Sequence, residues 1–148
     1  VSLPILRLGD GPAPRRFEEP QQAESPEHTV LVPAHREWKV THNLATNEAR
    51  LTVRNDDAKY RFESDGWTVH RQVTEEYGYR SNRYETLRGE VEAIRSFEQG
   101  EWRARTVTRT LLTSSVTHFR VQATLDAYEG DTRLFSKSWD ETIPRELL

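Results

Sequence analysis

The sequence contains neither cysteine nor methionine in its 148 residues. Disulfide bonds, thiolate metal sites and a cysteine nucleophile are therefore excluded, and the redox compartment cannot be inferred. The chain begins with Val1, whereas a complete gene product begins with methionine. We therefore expect either a processed chain or a piece of a longer polypeptide.

Apolar side chains are scarce as well. Hydrophobic residues make up 34% of the chain, and the mean hydropathy is −0.84. Leu, Ile, Val and Phe together make up about 22% of the residues, just above the roughly 20% below which highly charged chains tend to be disordered. Because the net charge is only −3, we expect a folded domain with a thin core. No apolar run approaches the roughly 18 residues of a membrane span and no signal peptide is visible, so we expect no membrane partner.

Charge of one sign is not concentrated anywhere. The chain has 21 basic and 24 acidic residues, and only Lys39, Lys59 and Lys137 are lysines. Arginine-rich chains can bind nucleic acid, but here acids are interleaved with the bases and no basic block stands out. We therefore expect solvated strand faces with cross-strand ion pairs, and no nucleic-acid partner.

Proline is almost absent after residue 33. Six of the seven prolines lie in the first 33 residues, and proline excludes both a helix interior and an interior strand. We predict an extended linker or strap over residues 1–35 and an antiparallel β domain over residues 36–148. The strap would be ordered only where it contacts another surface, through Leu3, Ile5, Leu6 or Val30–Val32.

From Arg36 onward, apolar and polar residues alternate with the period of two that half-buried strands show. Trp38, Val40 and His42 share one side of the first such segment, and Asp65-Gly66 is a strong hairpin signal. About eight short strands joined by tight turns are predicted, with almost no helix. The pattern is typical of an all-β fold, an antiparallel meander that forms a sandwich or a curled half-barrel.

Three segments carry more specific predictions. Residues 77–82, YGYRSN, are predicted as a loop. Residues 83–98 fit either a helix or a strand, and we favour the strand because Gly89 weakens a helix. The last strand is predicted to stop near Asp140, because a residue before proline is restricted and Pro144 cannot donate to a sheet.

Residues that could carry catalysis or hold a metal show no ordering motif. No serine lies in the Gly-x-Ser-x-Gly context of an α/β-hydrolase nucleophile. Asp56-Asp57 and Asp65 fit turn chemistry better than a calcium loop. The histidines form no His-x-x-x-His or His-x-His pair, although three of them could meet across a sheet as a metal site: His28, His35, His42, His70 and His118. We predict no catalytic residue, no metal and no cofactor in this chain.

Tryptophan and tyrosine are the largest apolar side chains available. With so few aliphatic residues, a core has to be built partly from aromatic rings, and this is the interpretation we favour. Two functional alternatives are an aromatic platform for a ligand such as a sugar, and a docking patch for another domain. The residues that would form either surface are Trp38, Trp67, Trp102, Tyr128 and Trp139.

The end of the chain resembles a known family. Residues 118–148 contain Ala127-Tyr128-Glu129-Gly130-Asp131, Phe135, Trp139-Asp140 and Ile143-Pro144-Arg145-Glu146-Leu147-Leu148. These positions, together with residues 38–53 and 100–115, are similar to the C-terminal end of CocE/NonD-type hydrolases, the bacterial relatives of cocaine esterase and X-Pro dipeptidyl-peptidase. The proline-rich start also resembles the linker that such proteins carry before this region.

The resemblance implies a serine hydrolase, cutting esters or X-Pro peptides, whose catalytic triad lies upstream of everything in this chain. This chain would then be a non-catalytic β module of jelly-roll, galactose-binding-like type. Separately from the resemblance, we expect a soluble protein of the bacterial cytoplasm. Its expected partner is the α/β-hydrolase domain of the same polypeptide. If early strands are missing, an exposed sheet edge would favour a homo-oligomer. A ligand-binding module for a sugar or an acyl group is the alternative.

Overall fold

The structure, a computed structural model, describes residues 17–146, and within them every regular element is a β-strand. The strands are β1 (His28–Val32), β2 (His35–Asn43), β3 (Glu48–Asp56), β4 (Lys59–Phe62), β5 (Thr68–Arg80), β6 (Arg83–Gln99), β7 (Trp102–Ser114), β8 (His118–Glu129) and β9 (Thr132–Pro144). The predicted all-β antiparallel meander is confirmed. It has nine strands, several of them long, where about eight short ones were predicted.

All nine strands belong to one antiparallel sheet. From edge to edge the strands lie in the order β1, β4, β5, β6, β7, β8 and β9. Two further strands continue the first two rows of this sheet: β2 continues the row of β1, and β3 continues the row of β4 and pairs with both β2 and β5. Pro33, which has no N–H, lies between β1 and β2. The first and last rows do not pair with each other, so the sheet of the described residues stays open.

The first strand lies within the segment predicted as a linker or strap. β1 includes Val30–Val32, where contact was predicted, and Val30 lies opposite Tyr60 of β4. Residues 17–27 form no strand. The contacts predicted for Leu3, Ile5 and Leu6 lie outside the described residues, as do the last two residues of the chain.

The prediction of a loop over residues 77–82 is wrong. β5 continues through Arg80, β6 begins at Arg83, and only Ser81 and Asn82 form the turn. Both turn residues have positive φ, 53° and 54°, which is the geometry of a two-residue hairpin whose twist matches the flanking strands. Since Asn tolerates this conformation better than most residues, two residues are enough to reverse the chain.

The strand interpretation of residues 83–98 is confirmed, because β6 covers this segment and pairs with β5 on one side and β7 on the other. A Cβ atom on Gly89 would lie 3.1 Å from Cδ1 of Tyr77, closer than an ordinary contact. Glycine at this position therefore leaves room for the Tyr77 ring beside the backbone of β6.

The prediction that the last strand stops near Asp140 is wrong, because β9 continues to Pro144. The N–H of Arg145 donates to the carbonyl of Thr117 at 2.9 Å, and antiparallel pairs alternate between bonded and non-bonded positions. Pro144 lies opposite His118, at the adjacent non-bonded position. Its missing N–H therefore faces the free edge of the sheet, where no hydrogen bond is lost.

The register assigns the side chains to two chemically different faces. Residues opposite one another across a strand pair share a face, and successive residues along a strand alternate. We call one the apolar face; its members include Trp38, Val40, Leu51, Val53, Val73, Tyr77, Val91, Phe97, Trp102, Leu112, Val121, Leu125, Phe135, Trp139 and Ile143. We call the other the charged face; it carries the ion pairs Arg50–Glu76, Arg80–Glu48, Lys59–Glu98, Arg109–Glu92, Arg120–Asp140 and Arg133–Asp126.

Very little of either face is buried. Val53 on the apolar face and Val107 on the charged face form the buried hydrophobic core, at 6% and 7% exposure. Stable domains normally pack a second layer of structure against an apolar sheet face. Within residues 17–146 no second layer exists, and this explains why the core is as thin as the composition predicts.

Candidate functional site

The apolar face is the most unusual surface of the molecule, because large hydrophobic side chains remain exposed on it from edge to edge. Trp38 and Val40 on β2 are 77% and 74% exposed, and Phe135 and Ile143 on β9 are also exposed. Single exposed hydrophobic residues are normal, but a contiguous apolar patch marks an interaction surface. We therefore take the apolar face as the candidate functional site.

The structure places four of the five predicted aromatic residues on this face and brings only two of them, Trp67 and Trp102, into contact. Trp67 and Trp102 form an edge-to-face pair at one end of the face, with ring centroids 5.6 Å apart and planes at 85°. Trp38 and Trp139 lie on opposite edge rows, six strand spacings apart, or about 29 Å at about 4.8 Å per spacing. These positions outline a broad surface rather than a compact aromatic pocket.

Tyr128, the fifth predicted residue, lies on the charged face. It pairs with Arg105, whose guanidinium carbon is 4.3 Å from the centroid of the Tyr128 ring. A cation over an aromatic face is an attractive contact, so the ring is already occupied by a neighbour of the same sheet. Tyr128 is therefore not part of the apolar face.

Arg145 has a structural role that the tail motif alone does not indicate. Its Nη1 donates to the carbonyl of Ser115 at 2.8 Å, and its guanidinium carbon lies 5.1 Å from the centroid of the Phe119 ring. These contacts fasten the end of β9 to the turn between β7 and β8. The sequence signal for these contacts was the arginine that directly follows Ile143-Pro144, because an arginine close to an aromatic residue can stack on its ring.

The charged face contains one compact polar cluster, formed by Asp56, His70 and Gln72. Oδ1 of Asp56 lies 2.7 Å from Nε2 of His70, and Nε2 of Gln72 donates to Oδ2 of Asp56 at 2.9 Å. Burial by itself raises the pKa of Asp56, but the hydrogen bonds from Gln72 and His70 outweigh it and hold this pKa below 3.8. The carboxylate is thus held ionised at neutral pH, with one hydrogen-bond partner on each oxygen.

This cluster predicts a specific acid sensitivity. Because the folded-state pKa of Asp56 is depressed, its stabilising contribution is complete well above pH 3.8 and is lost as the pH falls through the folded-state value. The stability advantage of the wild type over Asp56→Asn should therefore be constant near neutral pH and shrink below about pH 4. Urea unfolding followed at pH 7, 5, 4 and 3 measures it.

The neighbouring Asp57 provides the control for this experiment. Its carboxylate makes only long ion pairs, at 3.7 Å to Arg36 and 3.7 Å to Arg71, on an exposed part of the sheet. Asp57→Asn should therefore change the free energy of unfolding by no more than about 0.5 kcal/mol at neutral pH. An advantage over Asp56→Asn that stays constant down to pH 3 would contradict the role assigned to the Asp56 carboxylate.

The histidines do not converge on a metal site. His28, His42, His70 and His118 each contact a different partner, respectively Pro26, Asn47, Asp56 and Thr117. In the part of the chain that the structure describes, no three His, Asp or Glu side chains are grouped so that they could hold a metal ion. Likewise, none of the residues from 17 to 146 belongs to a helix long and apolar enough to span a membrane.

The chain matches no protein-family model, and no curated protein or solved structure matches it either.

Proposed function

We propose that this chain is a non-catalytic C-terminal β module of a CocE/NonD-type serine hydrolase, and that its apolar face docks on the α/β-hydrolase domain of the same polypeptide. One structural observation carries the proposal. Most of the ion pairs lie on one face of the sheet, whereas the other face exposes Trp38, Val40 and Phe135. The resemblance of the tail motif to that family supplies the identity of the partner.

The energetics favour a covered apolar face. Transferring an exposed valine or tryptophan side chain from water into an interface contributes on the order of 1.5–3 kcal/mol. Among residues 17–146 only Val53 and Val107 are buried hydrophobic residues, so additional burial would add substantially to the stability of the module. A docked catalytic domain would provide the second layer that the sheet lacks.

The residues of this chain support a non-catalytic role beside a separate catalytic domain. The family places its catalytic triad in the hydrolase domain, and the tail motif in this chain resembles only the region beyond that domain. Many carboxylates of the charged face meanwhile pair with cations of the same face, as in the Arg120–Asp140 and Lys59–Glu98 pairs. We propose that the module supports the wall of the active site of an ester or X-Pro peptide hydrolase of the bacterial cytoplasm.

The test is reconstitution from two pieces. The polypeptide encoded upstream of Val1 is expressed as a separate fragment, and the full 148-residue chain is added to it in trans. We expect the mixture to unfold at a temperature at least several degrees above the fragment alone, and ester hydrolysis to gain in kcat/KM. Unchanged melting temperature and unchanged kinetics, or an upstream sequence that encodes no hydrolase domain, would refute the proposal.

A ligand-binding module is the second candidate, and one depression favours it. Tyr84, Leu87, Ser114, Phe119 and Arg145 line a largely apolar depression of about 380 Å³. The Nε of Arg145 is buried there and has no hydrogen-bond partner among the described residues. An apolar cleft with a free guanidinium N–H would suit an acyl chain bearing a carboxylate. Calorimetric titration with octanoate and with octyl glucoside separates the two candidates, since a docking module gives no saturable heat with either.

A further inference from the structure

The two edges of the sheet differ in how well they resist pairing with another strand. The β1–β2 edge is interrupted by Pro33 and by a register irregularity between Val30 and Val32, two features that discourage edge pairing. The β9 edge has no proline before Pro144, and all 13 of its residues are exposed. An exposed, regular edge strand presents a free row of backbone donors and acceptors to a partner.

The backbone of β9 shows which groups that row contains. Because the N–H of Arg145 bonds to Thr117, the odd residues of β9 from Phe135 onward bond to β8. The even residues therefore direct their N–H and C=O groups away from the sheet: Ser136, Ser138, Asp140 and Thr142. An antiparallel partner strand would bond to these four residues.

The regular part of β9 is symmetric about Trp139. An extra residue, Leu134, disrupts the register at the start of the strand, and Pro144 ends it, which leaves Phe135–Ile143 with Trp139 at its midpoint. A two-fold axis through Trp139, perpendicular to the sheet, would place Lys137 opposite Glu141 of a second copy and Phe135 opposite Ile143. Neither Lys137 nor Glu141 forms an ion pair within the described residues, and the Lys137 ammonium lies 4.8 Å from the centroid of the Trp139 ring on the same strand.

From this self-complementarity we propose that β9 pairs antiparallel with β9 of a second copy of this chain, centred on Trp139, so that the two sheets join into one. Each dimer then contains two Lys137–Glu141 pairs, two Phe135–Ile143 pairs and a central pair of Trp139 rings. Opposite charges and apolar residues directly across a strand pair are stabilising. An interface that uses the same strand on both copies closes after two subunits.

Other registers of the same strands are less favourable. A two-fold axis through Lys137 would place the Lys137 side chains of the two copies opposite each other, and an axis through Glu141 would do the same with two glutamates. Like charges directly across a strand pair repel each other. An axis through Asp140 would likewise place two carboxylates opposite each other. An axis through Ser138 would place Phe135 of one copy opposite Glu141 of the other. Pairing of β9 with β2 of another copy would propagate into an open fibre, which the interrupted β1–β2 edge opposes.

The first experiment measures dimerisation of the full-length chain by sedimentation velocity over a range of concentrations. Lys137→Glu should weaken the dimer at least about tenfold, because two attractive cross-strand pairs become repulsive. Adding Glu141→Lys to that variant exchanges the two charges and should restore the wild-type dissociation constant to within about threefold. Lys39→Glu on the opposite edge is the matched control and should leave it unchanged.

The backbone prediction is tested at Ser138. Ser138→Pro removes an N–H that faces the free edge, so the circular dichroism spectrum of the monomer should be unchanged while the dimer is lost. Ser138→Ala keeps that N–H and should dimerise like the wild type. The comparison separates edge pairing from general destabilisation of the strand.

The register itself can be read by cross-linking, since the chain has no cysteine of its own. Non-bonded antiparallel pairs place Cα atoms about 4.5 Å apart, within the range that a disulfide spans. A mixture of Lys137→Cys and Glu141→Cys chains should therefore form a disulfide heterodimer under mild oxidation. Each variant alone should not, because its two thiols would lie four residues apart, about 13 Å.

Three results would overturn the proposal. The first is a chain that stays monomeric at all concentrations up to several hundred micromolar. The second is a dimer that Lys137→Glu and Ser138→Pro leave intact, which would place the interface on the apolar face instead. The third is equal cross-linking of all cysteine mixtures. The proposal is independent of docking on a hydrolase domain, because these measurements need no catalytic fragment.

Discussion

Replacing Val53 with aspartate is expected to unfold the domain. Val53 is 6% exposed on the apolar face, where its neighbours across the strands are Trp38 and Glu75. The substitution removes a buried side chain worth about 1.5–3 kcal/mol and buries a carboxylate beside another carboxylate. We expect a loss of about 4 kcal/mol or more, a large part of the roughly 5–15 kcal/mol that stabilises an ordinary domain. Far-ultraviolet circular dichroism and urea unfolding measure this change.

Val40→Asp is the matched control for this substitution. Val40 carries the same side chain on the same face, one row away, but it is 74% exposed at the edge. The new carboxylate remains in water, so the free energy of unfolding should change by no more than about 0.5 kcal/mol. Equal destabilisation by the two variants would contradict the assignment of Val53 to the core, and equal tolerance would show that the sheet has no core at this point.

The sequence predicts the sheet well wherever alternation continues without interruption. The segment from Phe119 to Ala127 alternates along its whole length, and the structure places its odd residues on the apolar face. The Asp65-Gly66 signal is also a turn, in which Gly66 has a φ of 73° and Asp65 accepts a hydrogen bond from the Trp67 N–H. Both predictions depend only on local geometry, which a sequence encodes directly.

The misplaced boundaries have a different physical origin. Ser81-Asn82 is a two-residue turn that needs no glycine, and so its short length is not visible in the composition of YGYRSN. Pro144 is compatible with β9 only because β9 is an edge strand with its even positions turned outward. The position of a strand in the sheet is a tertiary property that the sequence around Pro144 does not contain.

The candidate site could be predicted only in part. The aromatic residues were identified as a group. Tyr128 directly follows Ala127 on β8, however, and successive strand residues point to opposite faces, so the alternation itself places Tyr128 on the charged face. Whether the apolar face is covered could not be predicted, because an internal sheet of a sandwich and an open docking sheet show the same alternation. Only the sheet order, with no second layer in the described chain, separates the two.

Trp38→Asp is expected to abolish docking on the catalytic fragment while the module stays folded. Trp38 is 77% exposed on the apolar face, so the isolated module loses little stability when the ring is removed. In a docked complex the same ring would be a buried anchor, and truncating such tryptophans typically costs at least 2 kcal/mol. A charge introduced into the interface adds to this, so we expect affinity to fall by about 100-fold or more, measured by calorimetric titration of the fragment.

Lys39→Asp is the control that makes this experiment decisive. It introduces the same carboxylate into the same strand, one residue away, but on the charged face, which the proposal leaves in water. Docking should therefore weaken by less than about threefold, since an exposed charge away from an interface contributes little. If Lys39→Asp weakened docking as much as Trp38→Asp, the charged face would be the interface, and the exposed apolar residues would need a different partner.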